Sequence, residues 1–193
     1  GVSGLGYTLA FGGGGVEAIH VYLTTRLTPL VLGQDPLLVE RQWERMYRAD
    51  RGIKRQGVAA YALSALDIAL WDIKGKHYGE PVWRLLGGAR KKVPAYVTFG
   101  LLEFDTEGLV EMASRFVREG QDKLKMVVAV NGAEDPAEDA ARVRSVREAI
   151  GDGVQLMIDA NYLFSYTNAL ALAKRVEPYD IAWFEEPVYG NDA

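Results

Sequence analysis

The sequence contains no cysteine among its 193 residues. That removes a disulfide framework and any thiolate metal site, so a bound metal must use oxygen or imidazole donors. Histidine is almost as scarce: His20 and His77 are the only two, which excludes a histidine-rich site. No apolar run approaches the roughly 20 residues of a membrane-spanning helix. There is no excess of one charge either. The 26 acidic and 22 basic side chains leave a net charge of −4, too mild to point to nucleic acid or a membrane surface as partner. The chain opens at Gly1 without a methionine or a signal-peptide pattern, and it reads as a fragment or a processed chain. What remains is a globular composition, 49% apolar and 25% charged, long enough for one sizeable core or two small ones.

The texture changes near residue 90. Before it, "GVSGLGYTLAFGGGGVEAIH" predicts a short strand over Gly6–Ala10, a flexible turn at Gly12–Gly15 and a helix from about Val16. The glycine spacing is not that of a phosphate-cradling loop, and no P-loop lysine follows. Asp35-Pro36 offers a helix start, with Leu38, Trp43 and Met46 on one face. Residues 57–75 are apolar nearly all round, with small residues at Ala59, Ala60, Ala62, Ala65 and Ala69, which predicts a helix packed on several sides. Asp67 and Asp72 within it read as partnered acids at the core edge rather than ligands.

From Val93 the chain alternates between short apolar strands and amphipathic helices. The strands are "VPAYVTFG", "DKLKMVVAV", "VQLMIDAN" and "DIAWFEEPV", and Thr106 and Pro136 mark helix starts between them. Four such repeats with short links predict a parallel sheet with outer helices, either doubly wound or part of a (β/α) barrel. In both, function belongs at the C-terminal ends of the strands. There the second strand carries Lys123 and Lys125, the third ends at Asp159 with Asn161 beyond, and the fourth ends at Glu185 and Glu186. Charges closing buried strands are costly unless paired or coordinated. Carboxylates without cysteine or histidine suit a hard cation such as Mg²⁺, and Lys-to-carboxylate ion pairing is the alternative reading of the same residues.

Four stretches carry a resemblance across nearly the whole chain: "GLGYT" near the start, "ALDIALWDIKGKHYGEPVWRLLGG" at 65–88, "IDAN" at 158–161 and "WFEEP" at 183–187. With them the sequence resembles the mandelate racemase/muconate-lactonizing branch of the enolase superfamily. The resemblance implies an α/β architecture: an N-terminal α+β capping domain over residues 1–90, then the first four β/α units of a modified TIM barrel over 91–193. It implies three carboxylates holding one Mg²⁺. Asp159 matches the first and Glu185 the second, with Glu186 turned to the other face. Asn161 matches a position close to substrate. The implied reaction is removal of a proton next to a substrate carboxylate through a metal-stabilised enediolate. A sugar-acid dehydratase is the leading form, racemisation, epimerisation and cycloisomerisation are its relatives, and a truncated non-catalytic homologue is the alternative. A small-molecule carboxylate is the expected partner, and a cytoplasmic homo-oligomer the expected setting.

The lysine motif matches in two registers. Counting five residues on from Gly120 places Lys125 first and Val127 second, so that Lys125 contacts the substrate carboxylate. With two residues lost, Lys123 and Lys125 are the pair and Lys125 is the base. Side-chain alternation does not decide, because 123, 125 and 127 share a face. Lys125 is nearer the rim in both registers and is the expected catalytic lysine, with Lys123 second. The third ligand and the groups of the opposite face are expected on later strands, and neither histidine is placed to replace them. Residues 1–193 alone are therefore expected to fold poorly or to associate. The basic loop bearing Arg48, Arg51, Lys54 and Arg55 is a candidate to meet an anionic substrate, or a solvated cluster.

Overall fold

The structure is a computed structural model that describes residues 1–10, 14–49, 52, 56–101 and 103–190. The chain divides into two compact units, Gly1–Lys92 and Val93–Ala193.

Among its described residues the regular elements of the first unit are all helical: α1 (Val16–Tyr22), a wider π-type turn (Leu23–Leu27), α2 (Thr28–Val31), α3 (Val39–Arg48), α4 (Gly57–Tyr78) and α5 (Val82–Leu85). Ile19, Leu27, Val39, Met46, Ala62 and Leu70 form its core. The strand expected over Gly6–Ala10 is not formed. This segment lies along α4 instead, with the Leu5 N–H donating to Asp72 Oδ2 at 2.7 Å. A Cβ at Gly4 or Gly6 would collide with the carbonyl oxygens of Ala69 or Ala65, so the two glycines of "GLGYT" serve close approach to the helix. Asp72 also pairs with Lys76 at 2.7 Å. That bond, with the Leu5 amide, holds its carboxyl below the usual aspartate range. Burial raises the Asp67 carboxyl, and Glu40 adds to the rise.

Three other expectations shift. Asp35 closes a turn by accepting from the Leu37 N–H at 2.9 Å, and α3 starts four residues later. The face that α3 buries is therefore Val39, Gln42 and Met46, spaced for a helix, while Trp43 stacks on Tyr47. In α4, Ala59, Ala62, Ala65 and Leu70 are buried but Tyr61 and Ile68 are exposed, so one stripe and not every side is covered. Of the glycine run, Gly12 and Gly13 lie outside the described residues. Gly15 caps α1 in a left-handed conformation, φ 83°.

The second unit alternates β1 (Val97–Phe99), α6 (Thr106–Arg118), β2 (Lys123–Val127), α7 (Pro136–Ile150), β3 (Gln155–Asp159), α8 (Tyr166–Val176) and β4 (Ile181–Glu185). The strands form one parallel sheet in the order β1-β2-β3-β4. Asp105, not Thr106, caps α6, its side chain accepting from the Gly108 N–H at 2.8 Å. Leu124, Met126, Leu156 and Ile158 face the helices in one core with Leu109, Val143, Val146 and Leu172. Alternation then places Lys125, Met157, Asp159 and Glu185 on the opposite face of the sheet.

Two features shape that face. Between Leu156 and Ile158 the register with β4 shifts, so β4 carries one extra residue and both Ile181 and Phe184 pack on the helix side. The sheet also curls. Tyr96, just before β1, meets Trp183 of β4 edge to face at 5.4 Å between ring centroids. In a flat sheet the first and fourth strands would lie about 14 Å apart, at about 4.8 Å per strand.

At the N-terminal ends of the strands Arg147 of α7 ties three segments together. Its guanidinium donates to the carbonyls of Gly151, Val154, Tyr179 and Asp180 at 2.7–3.1 Å. At the opposite end Asp139, fully buried, accepts from the N–H groups of Ala129 (3.0 Å) and Val130 (3.3 Å). It anchors a turn in which Ala129, Asn131, Gly132 and Ala133 are all left-handed.

Burial pushes the Asp139 carboxyl up to about 6, against its two backbone hydrogen bonds and Arg142, which pull it down. A raised carboxyl binds its proton more tightly folded than unfolded, so its contribution to stability is full below the unfolded value and lost as pH rises through about 6. The advantage of the wild-type full-length protein over Asp139→Asn should shrink by about 2 kcal/mol between about pH 4 and about pH 7. Urea unfolding at both pH values measures it. A difference that stays constant would show the buried carboxyl to be unperturbed.

Candidate active site

The C-terminal ends of β2, β3 and β4 bring three charged side chains to one point. Asp159 and Glu185 are the last residues of adjacent strands and pair directly across the ladder, level with Val127 of β2. Lys125 sits one inward-facing position lower, paired with Met157. Its ammonium reaches up to Asp159 Oδ2 and Glu185 Oε2, each at 2.8 Å. Lys125 and Asp159 are both 6% exposed, so this is a buried charge cluster in which each partner requires the others.

Burial works against the charge on Lys125, yet hydrogen bonds to Asp159 and Glu185 outweigh it and hold the lysine above its ordinary range. The bond from Lys125 holds Glu185 below the usual glutamate range, and the Trp183 indole adds to this. Lys125 in this arrangement is therefore an ammonium, a donor of charge and hydrogen bonds. It becomes a base only where those two carboxylates are otherwise engaged.

The turns beyond the strands fix the carboxylates from above. The Asn161 N–H donates to Asp159 Oδ1 at 3.0 Å, and the Ala160 N–H to the Glu185 carbonyl at 3.1 Å. The Tyr162 N–H donates to the Glu186 carbonyl at 2.8 Å, and its hydroxyl to Glu186 Oε1. Asn161, Tyr162 and Glu186 are all left-handed, with φ of 47°, 64° and 46°. Such residues persist only where the surroundings hold them, and here they cluster at the rim. Glu186 does have another partner, but strand alternation is not the reason. β4 ends at Glu185, and the left-handed turn hands Glu186 to Tyr162.

Lys123 is not brought to the cluster. It opens β2 opposite Gln155, at the other end of the strand, and its ammonium lies 2.9 Å from both oxygens of Asp122. His20 and His77 belong to the first unit and are exposed. Arg48 pairs with Glu44 at 3.2 Å on α3, while Arg51, Lys54 and Arg55 lie outside the described residues. Sequence reasoning missed Trp183 and Tyr96. The Trp183 Nε1–H donates to Glu185 Oε2 at 3.1 Å, and the Tyr96 ring stands 5.3 Å from Lys125 Nζ. The available signal was the i, i+2 spacing of Trp183 and Glu185 on one strand face.

Two carboxylates that converge on a single cationic atom form a hard, oxygen-only donor pair, the chemistry that Mg²⁺ accepts. Asp159 and Glu185 therefore fit as two ligands of such an ion. Among the described residues no group of three or more His, Cys, Asp or Glu side chains is placed to hold a metal.

Comparison with known proteins agrees at both ends of the chain. Residues 1–87 match the family model of the mandelate racemase/muconate lactonizing enzyme N-terminal domain, and residues 108–193 the model described as enolase C-terminal domain-like. The chain belongs to the mandelate racemase/muconate lactonizing enzyme family of the enolase superfamily. Within this family it is 36% identical over 190 residues to arabinonate dehydratase of Saccharolobus solfataricus, covering 97% of this chain and 50% of that protein. It is 38% identical over 192 residues to 3,6-anhydro-alpha-L-galactonate cycloisomerase of Streptomyces coelicolor, covering 100% and 52%. A crystal structure of a racemase from Streptomyces coelicolor with bound magnesium superposes with a TM-score of 0.87 at 38% identity, covering 100% of this chain and 56% of that one. The chain thus spans about half the length of the family members it matches. The parallel sheet with outer helices is the fold of these enolase-superfamily neighbours.

Proposed function

We propose that the protein carrying this chain is a Mg²⁺-dependent enzyme that removes a proton next to the carboxylate of an acid sugar, and that it acts as a sugar-acid dehydratase. The convergence of Lys125, Asp159 and Glu185 at the C-terminal ends of adjacent parallel strands carries this reading, and the similarity to arabinonate dehydratase supports the substrate class. Asp159 and Glu185 hold the ion. Mg²⁺, when bound there, supplies a Lewis acid that draws charge from the substrate carboxylate and acidifies the neighbouring C–H. With Asp159 and Glu185 engaged by the ion, Lys125 presents its Nζ to the substrate, as the base or as the cation that meets the negative charge developing on the carboxylate oxygens. Asn161 reaches the same rim, and its backbone N–H fixes Asp159 while its side chain meets substrate hydroxyls. In a dehydratase the C2 proton and the C3 hydroxyl leave together as water, and the enol left behind becomes a 2-keto-3-deoxy acid.

The test is deuterium exchange at C2 across a library of acid sugars, run in D2O on the full-length protein. Exchange into at least one substrate, release of the keto acid, and loss of both on chelation with EDTA are expected. Exchange without keto-acid release would make the enzyme a racemase, epimerase or cycloisomerase. Exchange that survives chelation would remove the metal from the reaction.

A further inference from the structure

Nothing in the sequence assigns a role to Trp183, yet its indole is tied to the middle of the charge cluster. It lies on β4 two residues before Glu185, on the same face and on the N-terminal side of the carboxylate. Its Nε1–H donates to Oε2, the same oxygen that Lys125 contacts at 2.8 Å. An indole has one donor and no acceptor, so this bond has a single sense and turns the carboxylate in a single way. The Tyr96 ring, edge to face on Trp183, holds the indole plane and closes the space beside Lys125 Nζ. The register shift between β3 and β4 brings Trp183 to this position, because the extra residue in β4 lets Ile181 and Phe184 both turn outward while Trp183 and Glu185 stay inside.

Each ligating carboxylate then has its own fixed donor. The backbone N–H of Asn161 holds Oδ1 of Asp159, and the indole N–H of Trp183 holds Oε2 of Glu185. Lys125 shares Oε2 with the indole, so the two donors together set the plane of the Glu185 carboxylate. A ligand whose second oxygen is already engaged reaches the ion with its orientation set and loses less freedom on binding.

We infer that Trp183 is a positioning residue that sets the orientation of Glu185 for the divalent cation, with Tyr96 holding the indole in place. This rests on the function proposed above. It concerns how tightly the ion is held, so its readout is binding rather than turnover.

Calorimetric titration of the full-length protein with Mg²⁺ compares wild type, Trp183→Phe and Tyr96→Ala. Trp183→Phe keeps an aromatic ring and removes the N–H, and it should weaken Mg²⁺ binding by about tenfold, the lower end for such supporting groups. Tyr96→Ala removes the ring packed edge to face on the indole and should weaken Mg²⁺ binding in the same direction. A second measurement needs no change at Trp183. The Trp183 indole N–H resonance, followed by NMR in metal-free protein, should move on Glu185→Gln. Wild-type affinity in Trp183→Phe, or an indole resonance indifferent to Glu185→Gln, overturns the inference. Wild-type protein that takes up no Mg²⁺ overturns the proposed function and this inference with it, and the indole resonance still reports whether the contact exists.

Discussion

Lys125→Ala should lower deuterium exchange by about 10²–10⁴-fold, the range that one positioned proton-transfer or charge-bearing group supplies. Lys123→Ala should leave it near the wild-type rate. The two lysines are two residues apart on one strand face, and the sequence separates them only by distance from the rim. Their surroundings make them opposites. Lys125 is buried between Asp159 and Glu185, whereas Lys123 reaches only its neighbour Asp122 at the far end of β2. Removing Lys125 also leaves two carboxylates facing each other without the cation between them, a change that breaks a buried ion pair. A stability loss is therefore expected alongside the kinetic one. Exchange measured at saturating substrate on folded protein separates the two. Equal losses from both substitutions would instead favour the register in which Lys123 and Lys125 form the family's lysine pair.

Asp159→Asn carries the second large effect. The substitution keeps the shape of the side chain and removes its charge. The Asn161 N–H retains an oxygen acceptor, but the donor set for a hard cation loses one of the two charged groups present here. Lewis-acid assistance is worth several kcal/mol, so exchange should fall by about 10³-fold. Adding Mg²⁺ at high concentration should recover part of that loss, because the defect is in holding the ion. Exchange that persists at the wild-type rate would mean that Asp159 serves only as the counter-charge of Lys125.

The barrel half of the chain was legible because its signals are local. Each strand is a short apolar run with turn residues at both ends, and Asp159 and Glu185 stand out as charges at the ends of such runs. The glycine-rich start was not legible, because Leu5, Tyr7 and Leu9 alternate with other residues as a strand would. Only the surface of α4, supplied from sixty residues later, shows why Gly4 and Gly6 are needed. The helix around Asp35 misled for a related reason: Asp-Pro starts turns as well as helices, and burial of Val39, Gln42 and Met46 fixed the real boundary. For Trp183 the sequence offered only its spacing from Glu185, because its role depends on a register shift and on the curl of the sheet, neither of which a window of sequence contains. The sequence favours Lys125 over Lys123 as the lysine nearer the rim, and the ladder that places Asp159 level with Val127 and Lys125 one step below supplies its two partners.

The contact between Tyr96 and Trp183 also bears on the order in which the second unit assembles. It joins residues near the two ends of that unit, and the entropy of closing so long a loop must be met before the contact gives anything back. Neighbouring helices such as α6 and α7 meet across short separations and can form early. The aromatic pair beside Lys125 must wait until the first and fourth strands have come round to each other, so the charge cluster is expected to be completed among the last events of folding.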